Sequence, residues 1–407
     1  MEVDRHALEI IFRTNGERFK EYPFPDHYYP RKTPNYPIFL EWKGETEPTE
    51  YEFEAVDEVF TGVLRDTLDD YHDSKMGVML SGGIDSAFLL HLAKREYPDR
   101  KIIAYHSDWG PSFPAGVELP GAQRTAEFVE LPLRVIDSSA KAQLPYIEDA
   151  LRSTISINYS ATMFYMAFKA CREDGVDVAM TADGIDSFFG GHRFHKLYYL
   201  RSRYKMVPFV QRLLRYEPYI VASKLFGVDM AWFVSMISRE PNNLVEKSGF
   251  EFSQLFERVK GDTLWDLIQN WGAANVSYDS FVAARAAWPN EVEVEFPFMR
   301  QELLDLAGTF SKRNNANKNI IRKYMKDLGF PKEIIEVGIN WDKKGWGGAS
   351  LPYFEPEYLS RIMPRKTDPS YWLTPKGLEI WNNMRYTKTS VGILMALFLK
   401  IVEMMDQ

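Results

Sequence analysis

The sequence of 407 residues has one cysteine, no long apolar segment and no excess of positive charge. The single cysteine, Cys171, excludes a disulfide framework and a Cys-based zinc cluster, and it fits a reducing compartment. The longest clean apolar run, Val391 to Leu399, is too short to cross a bilayer. A net charge of −8 opposes general nucleic-acid binding, which usually needs a basic surface. The first residues also lack the apolar core of a secretory signal, so we expect a soluble, cytoplasmic protein with no membrane partner.

The composition is that of a folded protein, with 45% hydrophobic and 26% charged residues. Residues 1–70 differ from the rest and predict a small N-terminal arm or module. Five prolines between residues 23 and 37 exclude a helix there. Short alternating patterns at 38–42 and 51–54 predict one or two strands, and the spacing over 55–71 predicts a helix.

From residue 76 onwards, short apolar runs alternate with helical patterns such as the one over Ser160–Glu173. This alternation predicts an α/β fold with a doubly wound parallel sheet. We expect a second domain over 71–407, with its sheet core at about 76–191 and a mostly helical subdomain at about 192–407. The predicted strands are Gly77–Leu80, Lys101–Tyr105, Leu133–Ile136 and Val176–Thr181.

The segment Val78-Met79-Leu80-Ser81-Gly82-Gly83-Ile84-Asp85-Ser86 joins a buried strand to a helix. Gly82 and Gly83 let the backbone approach an anion, and the helix N-terminus adds unpaired N–H groups. Ser81 and Ser86 add hydroxyl donors, and Asp85 beside phosphates implies a divalent cation such as Mg²⁺. The spacing differs from the Walker A and Gly-x-Gly-x-x-Gly loops. The alternative is an ordinary glycine-rich turn with an aspartate cap.

A second segment, Thr181-Ala182-Asp183-Gly184-Ile185-Asp186-Ser187-Phe188-Phe189-Gly190-Gly191, follows another predicted strand. Its acidic residues, Asp183 and Asp186, therefore come at the carboxyl edge of the sheet, where open α/β sheets bind ligands. Two carboxylates three residues apart are suited to holding a metal and accepting a proton. The alternative is a solvated turn.

The first segment resembles the PP-loop of the ATP pyrophosphatase superfamily, whose fold is of the adenine nucleotide alpha hydrolase-like type. In that superfamily the loop binds the pyrophosphate part of ATP. The second segment narrows the resemblance to the synthetase domain of asparagine synthetases and their relatives, the lactam synthetases and lasso-type peptide cyclases. The positions that match in register are Gly184, Asp186, Phe189, Gly190 and Gly191.

The resemblance implies a role for each acidic residue. Asp85 and Asp186 would hold Mg²⁺ on the pyrophosphate, beside Ser81, Gly82, Gly83 and Ser86. Asp183 stands where asparagine synthetases carry a catalytic glutamate and lactam synthetases a tyrosine. It would position or deprotonate the amine.

Three later stretches continue the resemblance. Phe296-Pro297-Phe298-Met299-Arg300 resembles a Pro-Phe-Leu-Asp motif, with Arg300 in place of the aspartate. Residues 318–322 resemble a Lys-x-x-Leu-Arg helix, and Lys343-Lys344-Gly345-Trp346, with Pro352 beyond it, resembles a Lys-x-Gly-Phe-x-x-Pro loop. In that loop the family's lysine stabilises the charge that develops during amide formation. Lys343 holds that position by register, and Lys344 is the second choice.

The resemblance implies an ATP- and Mg²⁺-dependent carbon–nitrogen ligase. The enzyme would convert a small-molecule or peptide carboxylate to its acyl-adenylate, releasing pyrophosphate, and pass the acyl group to an amine or ammonia. Glutamine-dependent members begin with a nucleophilic cysteine on a glutaminase domain. Residue 2 here is Glu2, and seventy residues are too few for that domain, so we expect ammonia from a separate glutaminase or another source.

Three alternatives remain open on the sequence. The first is a synthetase that uses an internal amine and forms a lactam or a cyclic peptide. The second is a tRNA-modifying PP-loop enzyme, which the net charge opposes. The third is an inactive binding or scaffold protein, suggested by the changes at Asp183 and Arg300. A basic and aromatic segment over 193–216 is either a polymer-binding surface or an amphipathic helix. Nothing in the sequence selects a particular carboxylate, amine or oligomeric state.

Overall fold

A computed structural model describes a large part of the chain. The described residues are 40, 42–43, 49–110, 118–154, 160–192, 195, 198, 264–338, 356–372, 378, 381–382, 396–397, 399–401 and 403–404.

The described residues form a five-stranded parallel sheet in the order β3-β2-β1-β4-β5. The strand β1 is central, and the strand order reverses between β1 and β4. Loops that leave the carboxyl ends of β1 and β4 therefore flank the crevice where α/β sheets of this kind bind ligands. The strands are β1 (Met76–Met79), β2 (Ile102–Asp108), β3 (Leu133–Asp137), β4 (Val178–Met180) and β5 (Glu293–Glu295).

Helices cover both faces of this sheet, as the doubly wound prediction requires. The first helices in the chain are α1 (Phe53–Leu68), α2 (Ile84–Glu96), α3 (Glu118–Val129), α4 (Ala140–Gln143), α5 (Ile147–Thr154), α6 (Ala161–Glu173) and α7 (Ile185–Phe188). The later helices are α8 (Leu264–Ala287), α9 (Gln301–Gly308), α10 (Lys312–Asn315), α11 (Asn319–Asp327), α12 (Lys332–Ile335), α13 (Pro356–Ile362) and α14 (Pro369–Trp372). Short 3₁₀ turns lie at Asp69–Tyr71, Leu144–Tyr146, Trp288–Asn290 and Ala316–Lys318.

Two apolar clusters fill the space on either side of the sheet. One packs α6 and α8 against the face that carries Tyr105 and Ala179. The other packs α1, α2, α3, α9 and α11 against the face that carries Val78 and Met180. The four strands predicted from the sequence and the helix predicted over Ser160–Glu173 are confirmed, with ends shifted by three residues or fewer.

The helix α1 replaces the strand predicted over 51–54. Helical geometry begins at Phe53 because a helical spacing of buried side chains, Val56, Phe60 and Leu64, continues from there. The prediction of a strand at 51–54 is therefore wrong, whereas the predicted helix over 55–71 is confirmed apart from the final 3₁₀ turn. The proposed division of the chain at residue 70 stays a prediction.

An aromatic cluster joins α1 to the elements beneath the loop that follows β1. Phe60 of α1 lies 4.9 Å from Phe88 of α2 and 5.6 Å from both Phe298 and Tyr324, measured between ring centroids. Phe189, from the loop after α7, completes the cluster at 6.0 Å from Phe60. Because these rings are fully buried, they fix the helices that carry the loops at the carboxyl edge of the sheet.

The edge strand β5 was not among the predicted strands. It consists of Glu293, Val294 and Glu295, and it pairs in parallel with β4. The described residues include no helix that is long and apolar enough to cross a membrane.

Candidate active site

The loop between β1 and α2 has the form expected of an anion-binding loop. Gly82 has a φ of +77°, which side-chain-bearing residues rarely adopt. A Cβ on Gly82 would also overlap the backbone carbonyl of Glu118 at the start of α3. Gly121 of α3 is equally constrained, since a Cβ there would lie 2.6 Å from the Gly82 carbonyl oxygen. The glycine at 82 is thus required by both backbone conformation and space.

The two serines of this loop hydrogen-bond to each other and to the loop backbone. The Ser81 backbone N–H donates to Ser86 Oγ at 3.1 Å, and the two hydroxyl oxygens lie 3.1 Å apart. The Gly83 N–H donates to Ser81 Oγ at 3.3 Å, and Gly83 is the N-cap residue of α2. Ser86 is buried and Ser81 is exposed. The loop is therefore held by its own side chains at the N-terminus of a thirteen-residue helix, which favours a bound anion.

The loop after β4 supplies the second set of predicted residues. Asp183 follows β4, Gly184 has a φ of +115°, and Asp186 lies in the short helix α7. A Cβ on Gly184 would overlap the backbone carbonyl of Phe298, in the segment after β5. Since β4 is paired with β1, this loop lies beside the loop of Ser81–Ser86.

A lysine brings the carboxylates of the two loops together. Lys318 Nζ lies 2.6 Å from Asp85 Oδ2 and is also ion-paired with Asp186 Oδ1. The lysine side chain is only 11% exposed. Two carboxylate oxygens from different loops therefore converge on one cation, the Lys318 ammonium.

The backbone that presents Lys318 is held in a disfavoured conformation. Asn317 and Lys318 both have left-handed backbones, with φ of 56° and 57°, at a cost of about 1 kcal/mol or more each. The Asn317 N–H donates to the Gly190 carbonyl at 3.0 Å, and the Lys318 N–H donates to the Phe189 carbonyl at 2.9 Å. These bonds tie the lysine to the Gly-Gly turn after α7.

Arg322 of α11 supports the left-handed turn at Asn317 and Lys318. Its buried guanidinium donates to the backbone carbonyls of Asn317 at 3.1 Å and Val337 at 3.2 Å, and also to that of Ile335. A planar guanidinium with several donors suits this task better than an ammonium would. The Lys-x-x-Leu-Arg resemblance thus places one residue in the site, Lys318, and one directly behind it.

Burial and neighbouring charges shift the pKa of two groups in the site. Desolvation, with smaller contributions from Asp186 and Asp85, raises the pKa of Asp183 to about 6, although Thr181 donates a hydrogen bond to it at 2.5 Å. Burial alone would lower the pKa of Lys318, but the two carboxylates raise it above its ordinary value. Near neutral pH, Lys318 is therefore charged and Asp183 is a carboxylate that can accept a proton.

Two histidines support the helix that carries Asp186. His192 Nε2 lies 2.9 Å from Ser187 Oγ, and the His192 backbone N–H donates to His195 Nδ1 at 3.2 Å. The His195 ring contacts the Trp265 ring of α8, with centroids 5.5 Å apart. Burial lowers the pKa of both histidines, so both are neutral near pH 7.

Most of the predicted site residues lie together in this structure. Ser81, Gly82, Gly83, Asp85, Ser86, Asp183 and Asp186 lie on the two adjacent loops. Lys343, Lys344 and Pro352 lie outside the described residues, as does all of the segment 193–216 except residues 195 and 198.

Two observations on single residues go beyond the sequence analysis. The structure adds Lys318, whose only sequence signal was its place in the Lys-x-x-Leu-Arg resemblance. Arg300, which replaces an aspartate of the resemblance, is the N-cap residue of α9 and donates to Thr67 Oγ1 of α1 at 2.9 Å.

The donor set fits the two groups that the resemblance implies. Carboxylate oxygens are ligands that Mg²⁺ prefers, and Mg²⁺ sites often use one or two carboxylates together with substrate phosphates. Among the described residues, no three His, Cys, Asp or Glu side chains cluster as a metal site. Two carboxylates beside an anion-binding loop therefore fit a metal bound jointly by protein and phosphate, as in a magnesium–ATP complex.

The parallel sheet, with helices on both faces and a glycine-rich loop at its switch point, defines a doubly wound α/β protein. The asparagine synthase family model matches residues 56–337, well over half of the chain. The chain therefore belongs to the asparagine synthase family, which confirms the resemblance found in the sequence.

This chain aligns with only part of the length of the curated relatives that it matches. Asparagine synthetase [glutamine-hydrolyzing] 1 of Arabidopsis thaliana is 29% identical over 44% of this chain and 32% of its own. The chain thus spans about a third of the length of such relatives.

Among solved structures, the NMN synthetase of Francisella tularensis has a TM-score of 0.28 and 18% identity, covering 35% of this chain and 60% of that chain. The U34-tRNA thiolase of Methanococcus maripaludis has a TM-score of 0.34 and 12% identity, covering 80% of this chain and 87% of that chain. Similarities at this level bear on neither substrate nor reaction.

Proposed function

We propose that this chain is an ATP-dependent ligase that activates a carboxylate as its acyl-adenylate and transfers the acyl group to an amine or ammonia. ATP is cleaved between its α- and β-phosphates, so that AMP and pyrophosphate are the by-products. Activation replaces a poor leaving group, an oxide or hydroxide, with AMP, which makes attack by the amine feasible.

The convergence of Asp85 and Asp186 on one cation position, next to the loop of Ser81–Ser86, carries this proposal. That loop would hold the pyrophosphate part of ATP with backbone N–H groups and serine hydroxyls. Asp85 and Asp186 would hold Mg²⁺, and the bound ion would supply positive charge to the phosphate oxygens. Lys318, which contacts both carboxylates, would add a further positive charge beside the phosphates.

Asp183 is the proposed proton acceptor for the amine. An ammonium group has no lone pair and is not a nucleophile, so a positioned base must take its proton before the nitrogen attacks the acyl carbon. A carboxyl group with a pKa of about 6 is ionised at neutral pH and is a stronger base than an exposed aspartate. Lys343 is proposed to stabilise the charge that develops during amide formation. This role rests on the family resemblance.

The first test is ATP–pyrophosphate exchange with Mg²⁺, using the full chain and a panel of carboxylates that includes aspartate, other amino acids and pooled metabolites. The proposal predicts exchange that depends on one carboxylate and is lost in Asp85→Asn. Asp99→Asn is the matched control, because Asp99 is exposed in the turn before β2, at the opposite edge of the sheet. Absence of exchange together with absence of ATP binding would refute the proposal and favour an inactive binding protein.

A second test identifies the amine. Once a carboxylate is known, product formation is measured with ammonium, with glutamine and with no added amine. Product that appears only with ammonium supports an external amine and a separate ammonia source. Product without any added amine would instead identify a synthetase that forms a lactam or a cyclic peptide. Exchange that requires tRNA would favour the tRNA-modifying alternative.

A further inference from the structure

The ammonium group of Lys318 occupies the point at which the two proposed metal ligands converge. It lies 2.6 Å from Asp85 Oδ2 and is in direct contact with Asp186 Oδ1. These oxygens come from loops a hundred residues apart, and Lys318 follows Asp85 by 233 positions. A cation of this chain is thus placed where the proposed function requires a metal ion.

The position of Lys318 is fixed by the surrounding backbone. The left-handed conformations of Asn317 and Lys318 are compensated by hydrogen bonds to Gly190 and Phe189. Gly191 leaves room for the lysine stem, because a Cβ there would overlap Lys318 Cε. A disfavoured conformation that is held by several elements indicates a functional constraint on the residue that adopts it.

The Lys318 ammonium and a divalent metal ion cannot both lie between Asp85 and Asp186, because of their charges. Two carboxylates and one ammonium carry a net charge of −1, and a divalent ion at the same oxygens would lie within a few ångströms of the ammonium. Like charges at that separation repel, and the repulsion is only partly screened because the side chains of Lys318 and Asp85 are 11% and 18% exposed. The ammonium must therefore leave before a metal ion binds both carboxylates.

We infer that Lys318 is the resident counter-cation of Asp85 and Asp186, excludes a free divalent ion from them, and moves to the phosphate oxygens when a metal–nucleotide complex binds. This inference rests on the proposed function, because it takes the site to bind a metal with ATP. Its consequence is an order of binding. The metal enters with the nucleotide, whose phosphates give the lysine a new partner, and does not bind first on its own. The flexible four-carbon stem of lysine permits such a move.

The test measures binding of Mn²⁺, as a spectroscopically visible substitute for Mg²⁺, to the nucleotide-free full chain by electron paramagnetic resonance. The wild-type chain is expected to bind Mn²⁺ weakly. Lys318→Met keeps the apolar stem and removes the charge, so it is expected to bind Mn²⁺ about tenfold more tightly or better. Lys332→Met is the control, because Lys332 is an exposed residue that forms an ion pair with Glu336, just past the end of α12, and it should match the wild type.

Two further variants show where the ion binds. Adding Asp186→Asn to Lys318→Met should abolish the gain in Mn²⁺ affinity, since one of the two ligands is lost. Lys318→Gln replaces Lys318→Met if the latter fails to fold, because an uncharged amide can still donate to a carboxylate.

Equal Mn²⁺ affinity in the wild type and in a folded Lys318 variant would overturn the inference, and so would a gain that persists without Asp186. The measurement involves no turnover and is therefore independent of the exchange assay. A gain in Mn²⁺ affinity in a chain that shows neither exchange nor ATP binding would support Lys318 as the counter-cation and refute the ligase. ATP–pyrophosphate exchange without a gain in Mn²⁺ affinity would support the ligase and refute the role of Lys318.

Discussion

Gly191 lies directly against the carboxylate of Asp186. A Cβ at Gly191 would overlap both Asp186 Oδ1 and Lys318 Cε, and it would also lie too close to the Asp186 backbone. The second glycine of the Gly-Gly pair is therefore required by space. It keeps the carboxylate and the ammonium in contact.

Gly191→Ala is expected to displace Asp186 and to lower the rate of ATP–pyrophosphate exchange by about a hundredfold, since a misplacement of one ångström can cost that much. The matched control is Gly62→Ala in α1, where nothing lies within 4 Å of the added Cβ. The control should keep full exchange and gain about 0.5–1 kcal/mol of stability, because alanine is the better helix residue. Wild-type exchange in Gly191→Ala would show that the position of Asp186 is not critical.

The raised pKa of Asp183 predicts a pH dependence for amide formation. The carboxylate is the form that accepts a proton, so product formation should fall as the pH is lowered through about 6. A metal ion held by Asp85 and Asp186 would move the inflection lower. ATP–pyrophosphate exchange reports only the adenylation step, so its pH profile should not show this inflection. Asp183→Glu should retain a carboxylate-dependent profile, whereas Asp183→Asn should form no product. Persistence of the same inflection in a residually active Asp183→Asn would assign it to another group.

The same carboxyl group is expected to lower the stability of the fold near neutral pH. A carboxyl group with a raised pKa in the folded state contributes stability below its unfolded pKa of 3.8, and this contribution is lost as the pH rises through about 6. Asp183→Asn, which cannot ionise, should therefore be more stable than the wild type at pH 8, by about 1–3 kcal/mol. Thermal unfolding at pH 8 and pH 5 checks this, since the difference should be smaller at pH 5. A constant difference would point to a cause other than ionisation.

Lys343→Ala is expected to separate the two halves of the proposed reaction. It should leave exchange intact and reduce product formation by about 10²–10³-fold, as loss of one charge-stabilising group does in comparable sites. Lys344→Ala, the neighbouring change of the same size and charge, should remain close to the wild type. Loss of product in Lys344→Ala alone would transfer the role to Lys344.

Phe60→Ala tests whether α1 belongs to the same folding unit as the sheet. Phe60 is fully buried among four aromatic rings, so the truncation should lower the free energy of unfolding by about 3–5 kcal/mol. Glu58→Ala, an exposed change in the same helix, should alter it by about 0.5 kcal/mol or less. Urea unfolding in a single transition would join α1 to the rest of the domain. A separate early transition would support a boundary at residue 70.

The central part of the fold could be predicted because its signals are local. Strands β1 to β4 are short apolar runs that end at glycine or polar residues, and helical spacing separates them. The strand β5 is not an apolar run, but it lies in the alternating segment Val292-Glu293-Val294-Glu295-Phe296. That period-2 pattern is itself a strand signal, and the prediction missed it. At 51–54, two alternations of polar and apolar residues fit a strand as well as the first turn of a helix. Residues 53 and 54 are helical because the longer helical pattern that follows extends back to them.

The candidate site likewise contains residues that local sequence signals predict and one residue that they do not. The residues on the two loops could be predicted because motif spacing ties them to the ends of strands. The role of Lys318 could not be predicted, since it depends on a left-handed turn that brings a distant lysine back to Asp85 and Asp186. Contacts of this kind depend on how separate elements pack, which no local spacing encodes.

The pairing of β5 with β4 has a consequence for how the chain folds during synthesis. Residues 178–180 acquire their second neighbour only when residues 293–295 have left the ribosome. Until then the outer edge of β4 exposes unpaired backbone groups, which can pair with other chains. Truncated chains that end before residue 293 should accordingly be prone to aggregation. The sheet that carries Asp183 and Asp186 is thus completed late in translation, well after both residues have been made.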